Sequence, residues 1–280
     1  MEPVSLIVLL AMGTLAGAIN AAVGSGSLLT LPVLLALGIP PGVAVRTNTI
    51  GILFSTFGSV YGYRREIAEE KGNLGPLMAV TAVCATAGAL LLLASPGATL
   101  DVIVPVLIVF ALAMVIFQKR ITAGLRAGAE RRAARRGDAE DTTAAASTAA
   151  TSTASARSPY RSPGLIGTMG AASIYGGYFT AAQGILYLGV LGTFTGRSMK
   201  AVNSVKNLLS LIVNLAAATV YVIAHFVLGV EIVWLATAAI AVGALMGGYF
   251  GAHLAKKMPE WLLRGIIVVV ALIALVRQVL

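Results

Sequence analysis

The groups best suited to hold a small anion fall in two stretches of the chain. Gly24-Ser25-Gly26-Ser27 leads into Leu28-Leu29-Thr30-Leu31-Pro32, and Thr180-Ala181-Ala182-Gln183 leads into Gly184-Ile185-Leu186. Small residues at a helix start leave backbone N–H groups unpaired at the positive end of the helix dipole, where anions bind. Ser25, Ser27, Thr180 and Gln183 add side-chain hydrogen bonds, with tight helix packing as the alternative use of such small residues. A polar patch follows each stretch: Arg46-Thr47-Asn48-Thr49 after the first and Asn203-Ser204-Val205-Lys206-Asn207 after the second. Asn48, Asn203 and Asn207 can donate amide hydrogens to an anion or bridge neighbouring helices. Lys206 lies about 10 Å into its helix, where an ionisable group within a span is costly and by default functional; snorkelling to the interface is the other reading. Arg46 reads as a gate or as a marker of the cytoplasmic side. We expect no catalytic residue, metal or cofactor.

These stretches interrupt apolar runs that a simple spanning helix would keep continuous. With 58% hydrophobic and 11% charged residues and a mean hydropathy of +0.90, the chain has too little polar surface for a water-soluble globule. Apolar runs of about twenty residues match the hydrocarbon thickness, and strand-like alternation is absent, so the expected fold is all-α and polytopic. The lone Cys84 excludes an intramolecular disulfide. Met1-Glu2-Pro3-Val4-Ser5 lacks the positive charge of a signal peptide, so the first apolar run reads as a span.

The runs predict helices over 4–23, 28–37, 43–63, 74–94 and 100–117, then over 164–179, 185–191, 199–226, 230–254 and 261–279. Residues 1–118 and 163–280 thus form two pseudo-symmetric repeats, each with about four full transmembrane helices and one short broken segment. Between them, 119–162 is a basic, Ala/Thr/Ser-rich linker, helical over 119–136 and disordered over 137–162. Its arginines are a topology or anionic-lipid signal rather than a nucleic-acid site.

If each short segment counts as a crossing, Arg46, Arg64, Arg65, Lys71, the linker, Arg197, Lys200, Lys256, Lys257 and Arg264 are expected on one face, with only Arg277 dissenting. The positive-inside rule then predicts inverted repeats in the cytoplasmic membrane, a cytoplasmic linker and both termini outside.

The Gly24 to Pro32 motif, the Leu37-Gly38-Ile39-Pro40-Pro41 turn, Ala44-Val45-Arg46-Thr47-Asn48 and Lys200-Ala201-Val202-Asn203-Ser204-Val205-Lys206-Asn207-Leu208-Leu209 resemble the TauE/SafE family of sulfite exporter-like permeases. The likeness covers both halves but not the linker, and Thr180 to Gln183 depart from the glycine-rich pattern of the family. It implies movement of sulfite, sulfonates or related organosulfur anions across the cytoplasmic membrane. Asp101 and Glu231 sit at helix starts and no aspartate or glutamate lies deeper in a predicted span to carry protons, so a negative-inside potential, worth about 2.3 kcal/mol per charge per 100 mV, points to export or facilitated diffusion. A proton- or sodium-coupled importer keeps the same architecture with the opposite direction. An intramembrane serine protease using Ser25 or Ser27 with His225 or His253 leaves the second broken segment without a role. The expected partners are the anion and the lipid bilayer, with oligomeric state left open.

Overall fold

The computed structural model describes residues 2–22, 24–144, 159–254 and Gly265. Among them are ten α-helices, two short 3₁₀ turns and no strand. The helices are α1 (Pro3–Ala22), α2 (Ser27–Ala36), α3 (Pro41–Gly62), α4 (Arg64–Glu70), α5 (Gly75–Ala94), α6 (Gly97–Ala144), α7 (Pro163–Phe179), α8 (Gln183–Thr195), α9 (Met199–Leu228) and α10 (Trp234–Leu254). Four stretches, Pro3–Ala21, Gly75–Ala94, Gly97–Gln118 and Lys200–Leu228, are long and apolar enough to cross a membrane. Large apolar side chains such as Val102, Val106, Ile223 and Phe226 face outward, as in a bundle solvated by lipid. The protein is a multi-pass helical membrane protein.

Local chemistry sets the boundaries. Proline lies in the first turn of α3, α5 and α7, where its missing N–H costs nothing and its fixed φ suits a helix start. Gly38, at φ +79°, ends α2 as a left-handed C-terminal residue. Ser198 caps α9 by accepting from the Ala201 amide at 3.4 Å. α6 runs through 119–136, expected to be helical, without a break from the apolar segment, as the high helix propensity of its Ala- and Arg-rich sequence favours. It differs from expectation in continuing to Ala144, into the stretch expected to be disordered from 137. The rest of the tract, 145–158, lies outside the described residues, as do the expected helix 261–279 apart from Gly265, Lys256, Lys257, Arg264 and Arg277, and the side chains of Lys71 and His253.

Cross-helix contacts fix the helix directions. Arg46 at the start of α3 bonds to the Glu231 carbonyl beyond α9, whereas Tyr63 at the end of α3 bonds to Asn203 near the start of α9. The two helices are therefore antiparallel. The bundle has a Glu231 end and an Arg197 end. α1 runs parallel to α10, with Gly13 against Ile240 and Gly17 against Ala244 and Gly248, and α3 is parallel to both. α7 runs the other way, parallel to α5, with Gly170 against Val80 and Gly177 against Ala85. α1 packs mainly on α10 and α7 mainly on α5, each pair brought close by glycines that leave no room for a Cβ.

Because α1 and α3 share a direction, α2 between them returns the chain to the Glu231 end. α8 likewise returns it to the Arg197 end, where Arg197 pairs with Glu70 at 2.9 Å. Arg46 accordingly lies at the Glu231 end, opposite Arg64 and Arg197. The expectation that Arg46 shares their face is incorrect, because α3 itself runs from one end of the bundle to the other, with Arg46 at its start and Arg64 just past its end.

Candidate functional site

The two breaks meet. Gly24 Cα lies so close to Gly184 Cα that a Cβ built on Gly184 would stand 2.4 Å from it, and one built on Gly24 would stand 2.5 Å from Gly184 Cα. The Gly184 amide donates to the Gly24 carbonyl at 3.1 Å, joining the halves through backbone alone. Neither short helix has a side-chain cap. The first-turn amides of α2 fold inward, Leu28 to the Ser25 carbonyl and Leu29 to the Gly26 carbonyl. On the second side the Ala181 and Gly184 amides are already engaged, by Phe179 and Gly24. The second break therefore offers fewer open donors than its sequence implies.

Its conformation makes the departure from glycine costly. Thr180 and Ala182 sit at φ +64° and +58°, left-handed positions that cost a non-glycine residue about 1 kcal/mol each. Thr180 Oγ1 is bonded to Thr49 Oγ1 at 2.8 Å, which ties this break to α3. Asn48 Oδ1 accepts from Thr30 Oγ1 of α2, while its Nδ2 has no partner. Ser25 Oγ and both amide atoms of Gln183 are buried without partners. Ser27 and Gly26 are buried at the head of α2, with Gly26 packed against the Ala16 carbonyl.

Lys206 is the decisive charge. Its side chain is fully buried, and its Nζ donates to the Asn20 carbonyl at 3.3 Å. No carboxylate among the described residues pairs with it. Beside it, Asn207 Nδ2 donates to the Ala21 carbonyl at 3.5 Å. Both side chains thus reach the last turn of α1, whose terminal carbonyls carry a partial negative charge. That contact offsets only part of a full positive charge. Asn203, by contrast, lies nearer the Arg197 end and bridges to the Tyr63 hydroxyl at 3.0 Å.

One participant, Asn20, escapes a reading of the motifs alone. Asn20 supplies the carbonyl for Lys206 and donates its own Nδ2 to Ser55 Oγ at 3.1 Å. Gly184 makes the contact on which the two breaks rest. Asn20 is visible in retrospect as the only amide side chain in α1.

Comparison with known proteins fits this architecture. A model of the family described as sulfite exporter TauE/SafE matches residues 9–277. The chain belongs to this family. It is 25% identical over 274 residues to the "probable membrane transporter protein YfcA" of Escherichia coli strain K12, covering 96% of this chain and 88% of that protein. A protein of Sinorhizobium sp, "probable membrane transporter protein ORF9", is 33% identical over 95 residues, 34% of this chain and 36% of that one. No solved structure matches the chain. The protein is thus a TauE/SafE membrane transporter.

In this TauE/SafE chain the Arg197 end is held by ion pairs between the halves, Arg197 with Glu70 and Lys200 with Glu66 at 3.0 Å. The Glu66 backbone amide and the Lys200 ammonium hold the Glu66 carboxyl below the usual carboxylate range. At the other end His225 is committed to packing: Nδ1 bonds to the Val230 carbonyl at 2.8 Å and Nε2 accepts from Trp234 Nε1 at 3.2 Å. It has no nitrogen left to activate a serine.

Proposed function

We propose that this transporter binds a small sulfur-containing anion, sulfite or an organosulfonate, at Lys206, and carries it across the cytoplasmic membrane by export or facilitated diffusion. The observation that carries the reading is the buried Lys206 ammonium with no counter-charge. Burying an unpaired charge is expensive, so the protein retains one where an anionic ligand completes the pair. The sulfur chemistry rests on the family description. The opposed directions of α1 and α7, and their meeting at Gly24 and Gly184, support an inverted pair of repeats with the site at their junction.

The test is thermal unfolding of the purified protein with sulfite, thiosulfate, sulfoacetate, taurine, sulfate and chloride. A ligand at a hundred times its Kd adds about 2.7 kcal/mol of stability, so one sulfur oxyanion should raise the melting temperature well above chloride at equal ionic strength. Equal responses to all six would remove the sulfur-anion assignment.

Orientation follows from charge. Arg64, Arg65, Arg197 and Lys200 gather at one end of the bundle, and the positive-inside rule makes that end cytoplasmic. A fluorescent protein that matures only in the cytoplasm, inserted near residue 150, should fluoresce, and the same reporter at the N-terminus should stay dark. The reverse pattern would invert the orientation.

A further inference from the structure

We infer that one face of α9, from Asn203 to Asn214, lines the path of the anion, and that Ser210, Asn214 and Gln183 form a neutral binding station deeper in the bundle than Lys206. Asn203, Asn207, Ser210 and Asn214 recur at i, i+4, i+7 and i+11, the spacing that aligns side chains along one helix face. The face runs about 16 Å along the axis, from the Tyr63 contact inward, with Lys206 on its flank. The inference rests on the reading of Lys206 as an anion site.

Polar satisfaction sets these residues apart. In this chain helical hydroxyls are usually silenced by donating to the carbonyl four residues back, as Thr49, Ser59, Ser173 and Thr219 do. Ser210 Oγ is buried yet makes no such bond, and Asn214 Oδ1 is likewise buried without a partner. Gln183, with neither amide atom paired, lies beside the same turn of α9: a Cβ on Gly176 would lie 2.6 Å from Gln183 Oε1 and 3.3 Å from the methyl of Val213, the residue before Asn214. A helix meant only for packing would carry apolar groups here. Neutral hydroxyl and amide groups instead replace hydration around an oxyanion without holding it by a full charge, which lets it leave Lys206 and move on.

Cysteine accessibility in the full-length protein tests this. In a Cys84→Ser background reconstituted in liposomes, Ser210→Cys and Asn214→Cys are treated with methyl methanethiosulfonate, which reacts with hydrated, ionisable thiols. Both should be modified at least about tenfold faster than Leu215→Cys on the outward face, and excess sulfoacetate, a sulfonate that does not itself consume the reagent, should slow them. Rates no faster than at position 215 would overturn the path. Should Asn214→Cys fail to fold, the nearly isosteric Ser210→Cys decides alone. Fast modification that none of sulfoacetate, sulfate or taurine slows keeps the path and counts against Lys206 as an anion site.

Discussion

Lys206→Met is expected to abolish the anion-dependent rise in melting temperature and to lower transport by at least about tenfold, without lowering the melting temperature in anion-free buffer. The two halves of this prediction have one cause. Methionine matches the length and apolar stem of lysine, so packing is kept, while a buried charge that lacks a counter-ion is removed. The lost bond from the ammonium to the Asn20 carbonyl, long at 3.3 Å, contributes about 1.5–3 kcal/mol at most. Relief of desolvation should match or exceed it. A charge-assisted hydrogen bond to a ligand is worth about 1.5–3 kcal/mol, which sets the tenfold floor on the functional loss. Lys206→Arg keeps the charge but presents a planar fork in place of a compact ammonium, so it should restore part of the anion response. If Lys206→Met instead melts several degrees lower, the lysine is a structural clamp on α1. If it keeps the anion response, the site lies elsewhere.

The architecture was legible because its signals are local. Apolar run length, the Gly38 stop and the prolines at helix starts placed most described helices within a few residues of where they occur. The short α4, Arg64–Glu70, has no apolar run to announce it and reads in sequence as a charged loop. The exceptions have physical reasons. α8 extends to Thr195 because Leu188 to Phe194 still supply apolar, helix-compatible side chains to the core around Leu191. α6 overruns its apolar segment because helix propensity does not stop at the membrane boundary.

The site was legible in composition but not in pairing. Glycine at position 24 announces a break, yet nothing local says that its carbonyl will be met by the Gly184 amide. Thr180 reads as a ligand donor until Thr49, distant in sequence, takes up its hydroxyl. Arg46 is a different case: the length of α3 alone separates it from Arg64, and its bond to the Glu231 carbonyl fixes which end of the bundle it occupies. Lys206 was the exception. A charge amid apolar helix needs no tertiary information to be conspicuous.

Gly184→Ala is expected to destabilise the protein strongly. An added methyl would stand 2.4 Å from Gly24 Cα and 2.8 Å from the Gly24 carbonyl oxygen, where carbon atoms in contact need about 3.5–4.0 Å. The obstacle is backbone, so no rotamer change can relieve it, and the two breaks must separate by more than 1 Å or so. Separation also strips the Gly184 amide of its only recorded acceptor. Overpacking and a lost buried bond together should cost about 3 kcal/mol, seen as a fall in melting temperature of roughly 6–12 °C for a chain of this size. Gly24→Ala meets the same contact and adds strain at φ +84°, so it should be worse. The double variant should cost less than the sum, because both methyls push on one contact. Gly196→Ala, also at positive φ but facing open space, separates strain from collision and should lose only about 1 kcal/mol. Were Gly184→Ala to melt like Gly196→Ala, the breaks could not be in contact. The last turn of α1 would then be free to leave Lys206, and the junction would lose its claim to position the anion.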